Sequence, residues 1–245
     1  MRFDYDTTDP VGSAAMLGVI VLQSDETLEN DLRRLFPQTD VALHVSRVPS
    51  ATEVTSATLS EMAHHLTGAA ALFPHASRFD AVGYGCTSGA SVIGPARVAQ
   101  LVKEGCATQA VTDPVSALVA ACGHLGIGRL ALLSPYVEEV SATLRRVLAE
   151  GGVATPVFGS FEEAREERVA RIAPDSLIAA ATALAGAGGI DGIFMSCTNL
   201  RTLDVIDTIE AQTGLPVLSS NLVFAWHLAR LAGTAPGRRI GRLMQ

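Results

Sequence analysis

Two segments of this chain repeat one another. Asp80-Ala-Val-Gly-Tyr-Gly-Cys86-Thr87-Ser88 and Asp191-Gly-Ile-Phe-Met-Ser-Cys197-Thr198-Asn199 share one plan at an offset of 111 residues: an apolar run, a small residue, Cys, Thr, a small polar residue. The same offset lays Leu17–Gln23 over Gly128–Ser134, both apolar, and Asp25 over Tyr136. In a chain of 245 residues such a repeat reads as two half-length units rather than one eight-stranded sheet.

Within each half, short β-rich runs ending in Gly, Ser or Thr alternate with segments of helical period, the mark of βα units on a parallel sheet. Strands are expected near Leu17–Leu22, Val41–Val48, Ala81–Tyr84, Gln109–Val111, Leu130–Leu133, Val153–Val157, Gly192–Met195 and Pro216–Leu218. Helices are expected at about Glu26–Phe36, Val54–Leu72, Val92–Lys103, Val115–Leu125, Val137–Ala149, Asp175–Ala185, Arg201–Gln212 and Leu222–Leu231. The fold class is α/β: two pseudo-symmetric Rossmann-like (flavodoxin-like) domains, each with a four-stranded parallel sheet. Ligands of such sheets bind beyond the carboxyl ends of the strands, so two facing domains place both Cys loops in one inter-domain cleft.

The repeat turns Cys86 and Cys197 into a pair. Each ends a strand, and the small polar residues after it leave backbone N–H groups free and can cap a following helix; such a site favours negative charge and is expected to lower a thiol pKa from about 8.5 toward neutrality. Two thiols across one cleft suit an isomerase, one removing a proton while the other donates one, or one adding to a double bond that re-forms. A decarboxylase needs only one. Cys106, after a helix, and Cys122, in the apolar stretch Val119-Ala-Ala-Cys122, have no such context and read as structural. Four widely spaced cysteines make neither a disulfide scaffold nor a zinc ribbon.

Other chemistries find little support. With 18 Lys and Arg against 25 Asp and Glu, a net charge of −7 and no basic cluster, nucleic acid is not an expected partner. No apolar run reaches a membrane span, and Met1 to Pro10 reads as neither signal nor transit peptide, so the expectation is a soluble, cytoplasmic protein. Gly83, Gly85, Gly89 and Gly94 miss the Gly-x-Gly-x-x-Gly spacing of a dinucleotide site. His64 and His65 are adjacent, and no other histidine has ligand spacing, so neither metal nor cofactor is expected. His227 could approach the cleft but fits a surface or core position better, and Trp226, Phe224 and Leu228 read as core or subunit contact.

The cysteine motifs, with Leu-Leu-Ser134-Pro135-Tyr136 and Leu-Pro-Val-Leu-Ser219-Ser220-Asn221, resemble the aspartate/glutamate racemase superfamily, nearest the branch of maleate cis-trans isomerases, arylmalonate decarboxylases and ectoine-utilisation isomerase-like proteins. The resemblance runs from about Leu17 to Leu243. It implies a cofactor-independent isomerase with Cys86 and Cys197 as the catalytic pair. In maleate isomerases the first cysteine forms a succinyl-thioether while the second assists proton traffic; the decarboxylase branch has only the second. It further implies a carboxylate contact from Tyr136, a homodimer or tetramer, and a first domain of residues 15–112 plus 216–245 around a second of 113–215.

Two positions depart from the branch. Its Asn after the first strand corresponds to the segment Leu22-Gln23-Ser24-Asp25, and a second Asn falls near Glu166, so acids stand where amides are expected. An ionised Asp 4 Å from a substrate carboxylate is repulsive by about 1–4 kcal/mol, whereas an ammonium group reverses the sign. An amino-acid-like substrate is therefore expected. Asp25 equally fits a helix cap before Glu26-Thr-Leu-Glu29, and Glu166 fits a solvated run with Glu162, Glu163, Glu167, Arg165 and Arg168 better than a substrate contact. The expected substrate contacts are Asp25, Gln23, Thr87, Ser88, Tyr136, Thr198, Asn199, Glu166 and Ser219, with Ser134 and Ser220 as further strand-end hydroxyls. Maleate isomerisation through a Cys86 adduct, arylmalonate-type decarboxylation, and an inert small-carboxylate binder remain as alternatives.

Overall fold

A computed structural model describes all 245 residues. The first half runs β1 (Ala15–Leu22), α1 (Leu28–Leu35), β2 (Val41–Val48), α2 (Ser56–Glu61), α3 (Ala63–Ala70), β3 (Phe79–Gly85), α4 (Thr87–Ile93), α5 (Pro95–Gly105), β4 (Thr108–Thr112) and α6 (Pro114–Leu125). The second runs β5 (Arg129–Ser134), α7 (Glu138–Glu150), β6 (Ala154–Ser160), α8 (Glu166–Val169), α9 (Pro174–Ala185), β7 (Gly192–Met195), α10 (Ile206–Thr213), β8 (Val217–Ser219) and α11 (Ser220–Leu231). The strands form two four-stranded sheets of order β2-β1-β3-β4 and β6-β5-β7-β8, every pair parallel. The two orders are the same order under the repeat, so the halves are Rossmann-like domains of one design.

The inner strands are apolar because both faces of a parallel sheet are covered. All eight residues of β1 and all four of β7 are buried. One continuous hydrophobic core of 68 residues extends through both halves, so the domains share their packing rather than touching at a rim.

One boundary differs from expectation. Chain from Pro216 onward is expected in the first domain, but β8 pairs with β7 and completes the second sheet. Only the following helix crosses over: α11 packs on α6, β3 and β4. Gly83 permits this crossing, because a Cβ there would lie 2.2 Å from the ring of Phe224. The long helices expected over Val54–Leu72 and Val92–Lys103 are each two helices; the second breaks at Gly94, with φ of 89°, followed by Pro95 at the first position of α5.

No helix is long and apolar enough to cross a membrane.

Candidate active site

In each sheet the chain winds outward in opposite directions from the two central strands, and a crevice opens beyond their carboxyl ends. Asp25 follows β1, Cys86 follows β3, Tyr136 follows β5 and Cys197 follows β7. These four residues, paired by the repeat as Asp25 with Tyr136 and Cys86 with Cys197, line one narrow cavity. Ser24, Thr87, Ser88, Glu166 and Thr198 add polar groups; the segment after β2 contributes the apolar Ala51, Val54, Leu59 and Met62 together with Ser50, Glu53 and Thr58. No Lys, Arg or His lines it.

Cys86 ends β3 and caps α4, its sulfur accepting the Gly89 N–H at 3.2 Å. Gly89 is needed there, because a Cβ would fall 2.9 Å from that sulfur and 2.5 Å from the Tyr84 hydroxyl. Burial pushes the Cys86 thiol up to about 12; the Gly89 amide opposes the rise and the nearby charge of Glu166 adds to it. Burial also raises the Cys197 thiol well above its ordinary value, Glu166 again adding and the Tyr136 and Asn199 bonds opposing. The expectation of thiols near neutrality is thereby corrected, since loss of hydration outweighs the few N–H groups that face the sulfurs. Nor does a helix begin at the second loop: α10 starts only at Ile206, and Cys197 itself has φ of 124°.

Around Cys197 the contacts are dense. Its sulfur lies 3.0 Å from the Tyr136 hydroxyl and accepts the Asn199 N–H at 3.3 Å. Its own N–H donates to the Ser220 hydroxyl at 3.0 Å, and Ser220 also meets the Thr87 hydroxyl at 2.7 Å. One side chain at the start of α11 thus ties the two cysteine loops together.

The carboxylates behave differently from each other. Asp25 accepts the N–H groups of Thr27 and Leu28 through Oδ1, at 2.8 and 2.7 Å, so it does cap the turn into α1. Its other oxygen, Oδ2, is buried without a hydrogen-bond partner. Glu166 is 5% exposed, not solvated, and both its oxygens are engaged: Oε1 by the Tyr136 hydroxyl at 2.5 Å, Oε2 by the Asn199 amide at 3.0 Å. Burial raises both carboxyl pKa values, and backbone or side-chain hydrogen bonds oppose it.

Three expected contacts lie outside the cavity lining. Gln23 is exposed, its N–H bonded to Val48 O. Asn199 stands behind the cavity, joining Glu166 to the Glu26 N–H, which it accepts at 2.9 Å. Ser219 is fully buried and caps α11 through the Leu222 N–H. Likewise Ser134 accepts the Tyr136 N–H at 3.2 Å and holds the turn after β5. His227 bonds Thr112 at 2.7 Å, and neither His227 nor Trp226 reaches the cavity. Cys106 and Cys122 are free thiols outside it. The sequence reading missed the cavity lining after β2 and the buried amide of Asn221, which donates to Asp31 at 2.8 Å and to Thr198 O at 2.9 Å. No group of three His, Cys, Asp or Glu is placed to hold a metal ion.

The paired sheets and the thiol-lined crevice define the class, an α/β enzyme of the aspartate/glutamate racemase superfamily. Residues 96–244 match the arylmalonate decarboxylase family, and the chain belongs to it, within the branch it shares with maleate isomerases. It is 35% identical to the arylmalonate decarboxylase of Bordetella bronchiseptica over 118 residues, 48% of this chain, and so spans about half the length (49%) of that relative. It is 27% identical to a maleate isomerase of Nocardia farcinica over 94% of this chain and 95% of the relative. Among solved structures, a liganded double mutant of arylmalonate decarboxylase superposes with a TM-score of 0.85 at 26% identity, covering 94% of this chain and 99% of that one. A mutant of Nocardia farcinica maleate cis-trans isomerase with a covalently bound succinylcysteine intermediate superposes with 0.83 at 23% identity, covering 94% and 98%. The family match begins after Cys86 and so covers only the second of the two Cys-Thr loops.

Proposed function

We propose that this protein is a cofactor-independent isomerase that removes and returns a proton at a carbon beside a carboxylate, with Cys86 and Cys197 as the two proton-transfer groups. The reading rests on the two thiols reaching one cavity from opposite sheets. Thr87 and Ser88 supply hydroxyl donors for the substrate carboxylate, while the Thr198 hydroxyl donates to Gly85 O at 3.3 Å. Asp25 Oδ2 supplies an acceptor that nothing in the protein uses, in a cavity without a cation, so a substrate amino group would gain what a second carboxylate would lose. An amino acid fits this lining better than maleate does.

The test is deuterium wash-in followed by NMR over amino acids, diamino acids and dicarboxylates. An amino acid should exchange its Cα–H with both thiols present and stop exchanging in C86S and in C197S. Efficient conversion of maleate with no amino acid exchanging would overturn the reading in favour of a Cys86 thioether, the alternative that likeness to maleate isomerases over nearly the whole chain supports. Release of carbon dioxide from an arylmalonate would overturn it in favour of decarboxylation. If nothing turns over and amino acids only bind, the protein is a small-carboxylate receptor.

A further inference from the structure

The thiol of Cys197 is buried and needs an acceptor for its proton, and a hydrogen-bonded line of three side chains leads away from it. The Tyr136 hydroxyl lies 3.0 Å from the Cys197 sulfur and 2.5 Å from Glu166 Oε1. A tyrosine has one proton to give. Glu166 accepts on both oxygens, from Tyr136 and from Asn199, as an ionised carboxylate does. With the tyrosine proton directed at Glu166, the remaining contact is the Cys197 S–H donating to the tyrosine oxygen. The line therefore has one direction, from sulfur to carboxylate.

We propose that Glu166 takes the Cys197 proton through Tyr136, leaving a thiolate at Cys197. In this step the S–H bond breaks as an O–H bond forms on Tyr136, and the original Tyr136 O–H breaks as one forms on Glu166 Oε1. One negative charge moves from carboxylate to sulfur, and no other reactant is consumed. The new thiolate keeps the Asn199 N–H and gains the tyrosine proton as donor. Glu166 and Tyr136 are positioning residues in this scheme, and its catalytic meaning rests on the proton-transfer reading above.

The acid is fixed in place. Asn199 holds Glu166 Oε2 and is itself anchored at Glu26. The titratable groups around Glu166 are Tyr136 and Cys197 from the second sheet, Asp25 and Cys86 from the first, and Glu53 after β2, with Glu26, Glu167 and the Arg165 guanidinium on its outer side. Burial and the charge of Asp25 both raise the Glu166 carboxyl, making it a readier acceptor than an exposed glutamate. The first loop has no comparable line: the Cys86 sulfur accepts the Gly89 N–H and meets the Tyr84 hydroxyl, which hydrogen-bonds the Met62 sulfur at 3.5 Å and no carboxylate. The transfer to Glu166 then makes Cys197 the acceptor and leaves Cys86 the donor, the thiolate being a minor form reached from a resting thiol at Cys197.

The experiment reads alkylation of each cysteine by iodoacetamide, by mass spectrometry of the full chain, between pH 6 and 9. A proton that moves internally gives wild-type Cys197 a rate that stays flat over this range. E166Q and Y136F should lower it at least tenfold at pH 7 and make it rise about tenfold per pH unit, as an isolated thiol does. E166D should restore the flat profile, and Cys86 should change by less than twofold throughout. The proposal is overturned if wild-type Cys197 follows the steep profile or does not react at all, or if both variants, folded by their melting curves, keep the flat one. Should E166Q not fold, Y136F decides. No substrate enters this measurement, so its outcome stands whether or not amino acids exchange.

Discussion

The loops after β3 and β7 occupy equivalent places in equivalent sheets and present the same Cys-Thr pair, yet they are built differently. Cys86 sits in ordinary extended backbone, with φ of −148°, and passes directly into α4. Cys197 has φ of 124°, a region that favours glycine, and irregular chain runs on to Val205 before α10. The strained residue is also the better held, by Tyr136, Asn199 and Ser220, against Gly89 and Tyr84 at the first sulfur. Strain of this kind costs about 1–3 kcal/mol and persists where neighbours over-determine it. Duplication set where the two thiols stand, and their surroundings have since diverged.

Removing either sulfur strikes at the comparison most directly. C86S and C197S should each slow α-proton exchange about 10²–10⁴-fold, the usual contribution of a placed acid or base, as read by deuterium wash-in. If one variant kept half the wild-type rate, the pair would reduce to a single working thiol. G89A then acts on the first loop alone. Its Cβ presses on the Cys86 sulfur and the Tyr84 hydroxyl, so urea unfolding should show a loss of about 1–3 kcal/mol, with Cys197 alkylation unaltered.

The backbone difference can be measured by itself. C197G should be more stable than C197A by about 1 kcal/mol, because glycine accepts the positive φ, whereas C86A should exceed C86G by about 0.5–1 kcal/mol. The same order at both sites would remove strain from the account. A comparable effect lies behind the second loop, at Asp31, which burial lifts to about 6 against the hydrogen bond from Asn221. A folded pKa above the unfolded one means that the native protein binds more protons between about pH 4 and 6. Stability then declines as pH rises through about 6 and levels off beyond it. D31N should flatten that decline and raise stability at pH 8 by about 1 kcal/mol, read from melting temperatures at pH 5 and pH 8.

All eight strands were legible because continuous apolar runs bounded by small residues have few other readings, and the repeat gave the sheets their equivalence. The cysteine pair followed from it. Glu166 was harder, lying in a run of alternating charges that leads into the four residues of α8, too short for a clear period. The signal was present in its spacing, because Glu166, Val169 and Ala170 are buried together at i, i+3 and i+4. The thiol pKa values were misjudged because a sequence displays the donors near a sulfur but not the water excluded from it. Asn199 and Ser220 were seen as strand-end polar groups, and only the three-dimensional arrangement turns them into struts between elements far apart in the chain.

The crossing of α11 bears on whether the halves can live apart. A chain ended before β8 would leave the second sheet short of an edge and uncover the face of the first on which Phe224 rests. The excised second half would in turn carry an unsheltered apolar helix. Although one half copies the plan of the other, the polypeptide is laced, and neither copy is an autonomous folding unit.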